Sequence, residues 1–322
     1  MIIGAASVVI QIALDSIAYG SLFALMALGL ALLFGVMGLM NFAYGELIMA
    51  GGFTMFYTRS WGWVAMLVMT IVVVTVLSLL MELIAFRPVR RAAPVVLLIT
   101  SFAVSYFLEA LGWMTVGTGP QKGVEPYPWL DHQFDISGVR LSRLTIVIWV
   151  VTLVLVVGMT LLLKRTALGI QLRASTEDFR MAQLVGVRAN WVISAAFGIT
   201  GLLASAVAVL YVLRIGPAIA PDIGQGPLII AFVGAVIGGL GSLAGAALGG
   251  FVLGAMINAL QATLPASGDL VLNNHTLVFA YLAVIAILVF QPDGLVSLRA
   301  GGLARLWKRW RPKRAVAERA SA

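Results

Sequence analysis

The side chains able to do chemistry in this chain stand inside apolar runs. The stretch "GVMGLMNFAYGELIMAGG", residues 35–52, holds five glycines together with Asn41, Tyr44 and Glu46. A plain membrane anchor has no use for an amide, a phenol and a carboxylate. Intramembrane ionisable residues are functional candidates by default, and Asp15, Glu82, Glu109 and Arg214 join Glu46 in or near apolar runs. Glu82 and Arg214 lie near run ends and are expected to snorkel towards water. Asp15 reads equally as a functional group or as a polar brace. None of this resembles a catalytic constellation, which would need clustered carboxylates, a serine–lysine pair or metal ligands at one membrane face. His132 and His275 belong to no metal-spacing motif, and there is no cysteine. No phosphate-cradling glycine loop of the G-x-x-x-x-G-K-[ST] kind occurs. No metal, cofactor or catalytic residue is expected, and any ATP hydrolysis must belong to another chain.

The polar stretch has a partner. Residues 236–250 read "VIGGLGSLAGAALGG", and Val36, Gly38 and Gly45 fall against Val236, Gly238 and Gly245 with the same spacing. Both stretches close on a glycine pair. Glycine-interrupted segments at matching places in two halves point to an inverted repeat that meets at a site within the membrane. Irregular backbone at that depth is tolerated only inside protein or along a water-filled cavity. Asn41 can hold freed backbone groups, Glu46 suits the positive end of the helix that follows, and Gly38 leaves room that the backbone needs. Gly38, Asn41, Tyr44, Glu46, Gly238, Gly241 and Ser242 are therefore the candidate lining of a translocation path. For 241–250, close packing of small residues is an equal alternative.

These residues need elements to position them, and the elements are membrane spans. Of 322 residues, 61% are hydrophobic and only 11% are charged, whereas soluble chains carry about 25% charged residues. The expected fold is an all-α polytopic bundle of about eight or nine segments: 6–34, 44–60, 62–86, 95–113, 142–163, 191–214, 227–240, 242–264 and 275–291. The segments 44–60 and 227–240 are short enough to be re-entrant half-helices. The transmembrane domain covers 1–298, and a basic tail covers 299–322. The net charge of +8 does not indicate nucleic acid. Sixteen of the 21 lysines and arginines fall in 87–91, 164–188 and 299–319, which reads as a topology signal. These regions, including the C-terminal tail, are expected in the cytoplasm and 114–141 outside. Nine crossings then place the N-terminus outside. Trp307 and Trp310 would anchor the tail at the bilayer surface.

The basic loop 164–191 contains "STEDFRMAQLVG", which has the grammar of one helix of about three turns. Ser175 would cap it, Glu177 and Asp178 would favour its N-terminal dipole, and Gly186 would end it in a left-handed C′ position. The helix presents Phe179, Met181, Leu184 and their neighbours as an apolar surface. It would lie in the headgroups or enter a groove of a soluble partner.

At this point a resemblance enters. "GSLFALMALGLALLFGVMGLMNFAYGELIMAGGF" (20–53), "RTALGIQLRASTEDFRMAQLVGVRANWVI" (165–193), "GGLGSLAGAALGG" (238–250) and "QPDGL" (291–295) are similar to the LivH-type permeases of branched-chain amino acid ABC importers, over most of the chain. The resemblance implies an inner-membrane subunit that pairs with a second, LivM-like permease. Two cytoplasmic ATP-binding subunits and a periplasmic solute-binding protein would complete the system. It also implies that 176–187, with Glu177, Asp178, Phe179, Arg180, Met181, Leu184 and Gly186, is the helix that couples to the ATPases. Arg180 stands where the general coupling motif has glutamate, and Tyr44 where the family often has histidine. The solute implied is leucine, isoleucine or valine, carried by alternating access. The alternatives are a stand-alone secondary transporter or channel coupled through Asp15 or Glu46 and, less favoured, an intramembrane enzyme.

The topology can be checked directly. Single cysteines at Gln133 and Gln183 are expected to differ in intact cells, with only Gln133→Cys reacting with an impermeant thiol reagent. Equal labelling of both contradicts the assignment.

Overall fold

The structure, a computed structural model, describes residues 2–263 apart from 39–40, 91, 117–120, 123, 125–127, 137, 178, 185 and 217. The expected span 275–291, the tail 299–322 with Trp307 and Trp310, His275 and the "QPDGL" ending lie outside the described residues. Among the described residues, ten helices of six residues or more carry the fold: α1 (Ile2–Met37), α2 (Tyr44–Thr58), α3 (Trp63–Val89), α4 (Pro94–Val116), α5 (Arg143–Arg165), α6 (Ala167–Glu177), α7 (Phe179–Leu184), α8 (Ala189–Ile215), α9 (Gln225–Gly238) and α10 (Leu243–Thr263). Six of them (α1, α3, α4, α5, α8 and α10) are long and apolar enough to cross a membrane. The chain is thus a polytopic helical membrane protein.

The remaining apolar pair is short. The helix α2 has 15 residues and α9 has 14. At about 1.5 Å per residue each extends only ~21–23 Å, less than the ~30 Å of a hydrocarbon core. Their short length follows from the sequence, because glycine and polar residues interrupt both apolar runs.

The central helix is α1, whose apolar window is 83% buried against 22% for α4 and for α5. It packs along α10, where Gly250 lies against the Phe23 carbonyl and Ala27, and Asn258 Nδ2 donates to Ser16 Oγ at 3.2 Å. Small residues at this crossing let the backbones approach, the usual device where both helices are already in lipid. The pairing of Ala246 with Ala27 and Ala31, and of Asn258 with Ser16, makes the two helices antiparallel.

Within α3, Met81–Phe86 forms a π-helical turn, a feature that often marks function. Glu82 in this turn is 2% exposed and accepts a hydrogen bond from Ser194 Oγ of α8 at 2.9 Å. Glu82 therefore does not snorkel, because a donor on another helix holds it inside. Arg214 does not snorkel freely either, since it pairs with Asp15 of α1 at 2.6 Å.

The polar segment between α4 and α5 forms a hairpin, β2 (Gln133–Ile136) with β3 (Val139–Ser142), paired Gln133 to Ser142 and Ile136 to Val139. Ser142 then caps α5 by accepting from the Leu144 amide at 3.2 Å. The preceding strand β1 (Gln121–Lys122) pairs with β4 (Ala218–Ile219), which ties the segment before α5 to the segment before α9.

A close backbone contact joins the starts of the two short helices. Gly45 in the first turn of α2 and Gly224 just before α9 meet backbone to backbone, and a Cβ on either would meet the other's carbonyl group. Gly224→Ala is therefore expected to lower stability by about 1–3 kcal/mol. Gly226→Ala, one turn position away with open space around it, is expected to stay within ~0.5 kcal/mol. Melting of the purified protein in detergent measures both, and equal melting temperatures would rule out this contact.

Candidate functional site

The site is built around two helix interruptions. The first follows α1. Gly38 has φ +70° and donates its amide to the Phe34 carbonyl at 2.7 Å. A residue in the left-handed region closes a helix, and glycine occupies it without strain. Asn41 organises the start of α2. Its Oδ1 accepts from the Ala43 amide at 3.1 Å, and its carbonyl accepts from the Tyr44 amide at 3.2 Å. Asn41 is 2% exposed, so it does hold freed backbone as the sequence suggests. No described atom lies within 4 Å of a Cβ placed on Gly38. The glycine is thus required for its backbone conformation, not for the space it leaves, which corrects the expectation.

The depth of this turn follows from contacts. The Tyr44 hydroxyl lies against Gly29 of α1, 2.9 Å from where a Cβ would stand. Gly29 precedes the end of α1 by eight residues, which is about 12 Å of helix. The first turn of α2, Tyr44 to Leu47, is buried inside the bundle. Glu46 in its first turn is 1% exposed, where the positive helix end favours a carboxylate. Ser105 Oγ of α4 donates to Glu46 Oε1 at 2.9 Å. One turn further along α4, Glu109 accepts from Trp113 Nε1 at 3.3 Å and from Gln225 Nε2, the first residue of α9, at 2.6 Å. On the other side of Glu46, Phe42 stacks on Phe102 at 4.3 Å between ring centroids and meets Phe232 of α9 at 5.6 Å.

Three buried polar atoms of this stretch find no partner among the described residues: Asn41 Nδ2, Tyr44 Oη and Glu46 Oε2. Buried polar groups are nearly always paired, and leaving them unpaired in a bilayer costs several kcal/mol each. All three fall within six residues, Asn41 to Glu46.

The second interruption lies between α9 and α10. The left-handed residue here is Gly239 (φ +94°), which donates to the Val236 carbonyl at 3.1 Å. Ser242 donates its amide to the Gly239 carbonyl at 3.1 Å, and its Oγ accepts from the Gly245 amide at 3.1 Å, capping α10. The sequence alignment set Gly238 against Gly38, but Gly238 is the last residue of α9 and packs on the Gly245 backbone. The counterpart of Gly38 is Gly239, because the second connection (239–242) is shorter than the first (38–43).

The two interruptions do come together in part. Gly38, Gly241 and Ser242 line one cavity of about 550 Å³ with Phe34, Lys164 and Arg173. Asn41, Tyr44 and Glu46 lie deeper and do not line it. Sequence spacing does not bring Ser105, Glu109 and Gln225 to this site; the fold does. Glu109 stands out as an intramembrane acid, but its partner Gln225 lies 116 residues away in sequence.

The loop after α5 differs from the expected single helix. Thr166 Oγ1 accepts from the Gly169 amide at 3.0 Å, so a helix already starts at Ala167 and runs through Ser175 to Glu177. Ser175 is buried inside α6 and donates to the Gln171 carbonyl at 2.8 Å; it caps nothing. Asp178 lies outside the described residues. Phe179 and Arg180 begin the separate short helix α7. Its end is as expected. Gly186 has φ +92°, its amide bonds the Gln183 carbonyl at 3.0 Å, and the Val187 amide bonds the Ala182 carbonyl at 3.1 Å, which is a Schellman closure. Met181 and Leu184 are 62% and 81% exposed.

Asn41→Leu adds the apolarity that a lipid-facing helix tolerates, yet it frees the Ala43 amide. Loss of that buried bond is expected to cost about 1–3 kcal/mol. In vesicles, Asn41→Leu should lose solute uptake while membrane insertion persists, and undiminished uptake would contradict a role for Asn41 at the interruption.

Residues 12–288 match the family described as "Branched-chain amino acid transport system / permease component". The chain is 31% identical over 302 residues to the high-affinity branched-chain amino acid transport system permease protein BraD of Pseudomonas aeruginosa, covering 89% of this chain and 95% of the relative. It is 29% identical over 296 residues to the permease protein LivH of Escherichia coli K12, covering 88% and 94%. A permease protein of Methanocaldococcus jannaschii, named as a probable LivH, is 27% identical over 306 residues, covering 90% and 93%. No solved structure matches. With a family match that spans both helix interruptions and the α6–α7 loop, this chain belongs to the branched-chain amino acid transport permease family.

Proposed function

We propose that the chain is one membrane-spanning subunit of an ATP-driven importer, and that it moves branched-chain amino acids across the bacterial inner membrane by alternating access. The family match supports the permease role, and the names of the relatives support the solute. The path would pass the interruptions at 38–46 and 239–242, with Gly38, Asn41, Tyr44, Glu46, Gly238, Gly241 and Ser242 on or behind its wall. The unpaired atoms of Asn41, Tyr44 and Glu46 support this reading.

The observation that carries the coupling role is α7. It is a short helix closed by Gly186 that leaves Leu184 81% exposed in a basic loop. An apolar side chain exposed to that extent next to Arg188 fits a groove of a partner. Glu177, Asp178, Phe179, Arg180, Met181 and Leu184 would form the docking surface, and partner ATPases would act through it. ATP binding can shift the two access states only if contacts at this surface differ between them. A second, LivM-like permease and a solute-binding protein complete the proposed complex. The basic tail 299–322 is assigned to the cytoplasm on charge alone.

In the reconstituted complex, Leu184→Asp should abolish solute-stimulated ATP hydrolysis by placing a charge in an apolar groove. Gly186→Val should weaken it, because a β-branched residue in the left-handed region costs about 1–2 kcal/mol. Both variants should still insert and purify with the second permease. Normal stimulation in both would reject the coupling role and favour a helix lying on the bilayer.

A further inference from the structure

One cavity plays no part in the account above. It lies at the end of the bundle away from Lys164 and Arg173, where α1 begins and α8 and α10 end. Gln11 and Asp15 of α1, Arg214 of α8 and Arg140 of β3 line a space of about 630 Å³, with Val8 and Ile12 beside them. Sites for small molecules span about 300–1,000 Å³.

The lining carries both signs of charge in a fixed arrangement. Arg214 Nη2 lies 2.6 Å from Asp15 Oδ1, and Gln11 Nε2 donates to Asp15 Oδ2 at 2.9 Å. Gln11 Oε1 accepts the Arg140 amide at 2.9 Å, so one side chain both orients Asp15 and fastens the hairpin to α1. The Arg214 guanidinium lies over the Tyr19 ring, 5.3 Å from its centroid. The charged pair is not sealed, with side chains 20% and 27% exposed. Much of its bonding capacity is unused. A carboxylate offers about four acceptor sites and a guanidinium five donors. Arg140, an exposed residue of the hairpin, adds a third charge to the lining. A purely structural ion pair would need neither this third charge nor the surrounding space.

We propose that this cavity binds a zwitterionic α-amino acid. The carboxylate is held by Arg140 and Arg214, the ammonium by Asp15, and the aliphatic side chain rests on Val8 and Ile12. Arginine suits the first role because its planar fork pairs with a carboxylate bidentately. A ligand of one sign alone would face either Asp15 or the two arginines without complement. The inference rests on the amino-acid permease reading and adds a binding site near the entrance, distinct from the helix interruptions.

The test uses the full complex of permeases and ATPases in nanodiscs, without solute-binding protein, and reads binding by saturation-transfer NMR. The probes are leucine, 4-methylpentanoate, which lacks the ammonium, and 3-methylbutylamine, which lacks the carboxylate. Leucine should bind at least tenfold more tightly than either. Arg140→Gln should weaken leucine at least tenfold and leave the amine unchanged. Asp15→Asn, if it folds, should narrow the gap between leucine and 4-methylpentanoate, which loss of a mere brace does not do. Unchanged leucine binding by Arg140→Gln overturns the inference, and so does binding that appears only when the solute-binding protein is added, which makes this face a docking surface instead. Leucine uptake by proteoliposomes of the wild-type complex separates the two levels. Uptake without binding at this cavity overturns the inference alone, whereas failure to take up any branched-chain amino acid overturns the proposed function.

Discussion

A helix that stops inside a bilayer leaves several amide and carbonyl groups without partners, and hydrocarbon supplies none. This molecule meets the same need at two connections, each of which closes one helix on a left-handed glycine and caps the next. At 38–43 a left-handed glycine closes α1, and the Asn41 side chain and carbonyl take up the next free amides. At 239–242 a left-handed glycine closes α9, and Ser242 caps α10. The chemistry is the same in both, glycine for the carbonyl end and a small polar side chain for the amide end. Only the length of the connection differs.

Other features follow from this constraint. Two helices that start inside the bundle bring their positive ends with them, and carboxylates gather there. Glu46 sits in the first turn of α2, and Glu109 meets the first residue of α9. Their partners are the neutral donors Ser105, Trp113 and Gln225. Bringing the two helix starts together requires that Gly45 and Gly224 carry no side chains. The tightly enclosed α1 supplies the wall against which both interruptions are braced, through Gly29 for the first and through Ala27 and Ala31 near the second.

Much of this was legible in the sequence, for a physical reason. Glycines and an asparagine inside long apolar runs are costly unless they serve a break, so Gly38, Asn41 and Glu46 announced themselves. Gly186 did so too, since only a left-handed end explains it after an apolar turn. The misreadings share a cause of their own. Ser175 has the grammar of a cap, but Thr166 starts the helix earlier and carries it through Ser175. Glu82 and Arg214 stand near run ends and read as snorkelling, but Ser194 and Asp15 capture them across the bundle. Partners 112 and 199 residues away leave no local trace. The offset between Gly238 and Gly239 reflects loop length, which spacing matches do not fix.

The short helices α2 and α9 begin against each other at Gly45 and Gly224, and the proposed translocation path runs beside them within the membrane. A density map of the assembled complex in a lipid nanodisc tests it most directly. The account predicts helix density interrupted at 38–43 and at 239–242, with α2 starting beside Gly29, Gly45 touching Gly224, and solvent-accessible space reaching Asn41 and Glu46. An unbroken lipid-facing helix through residues 30–55, with no cavity near Asn41, would contradict it.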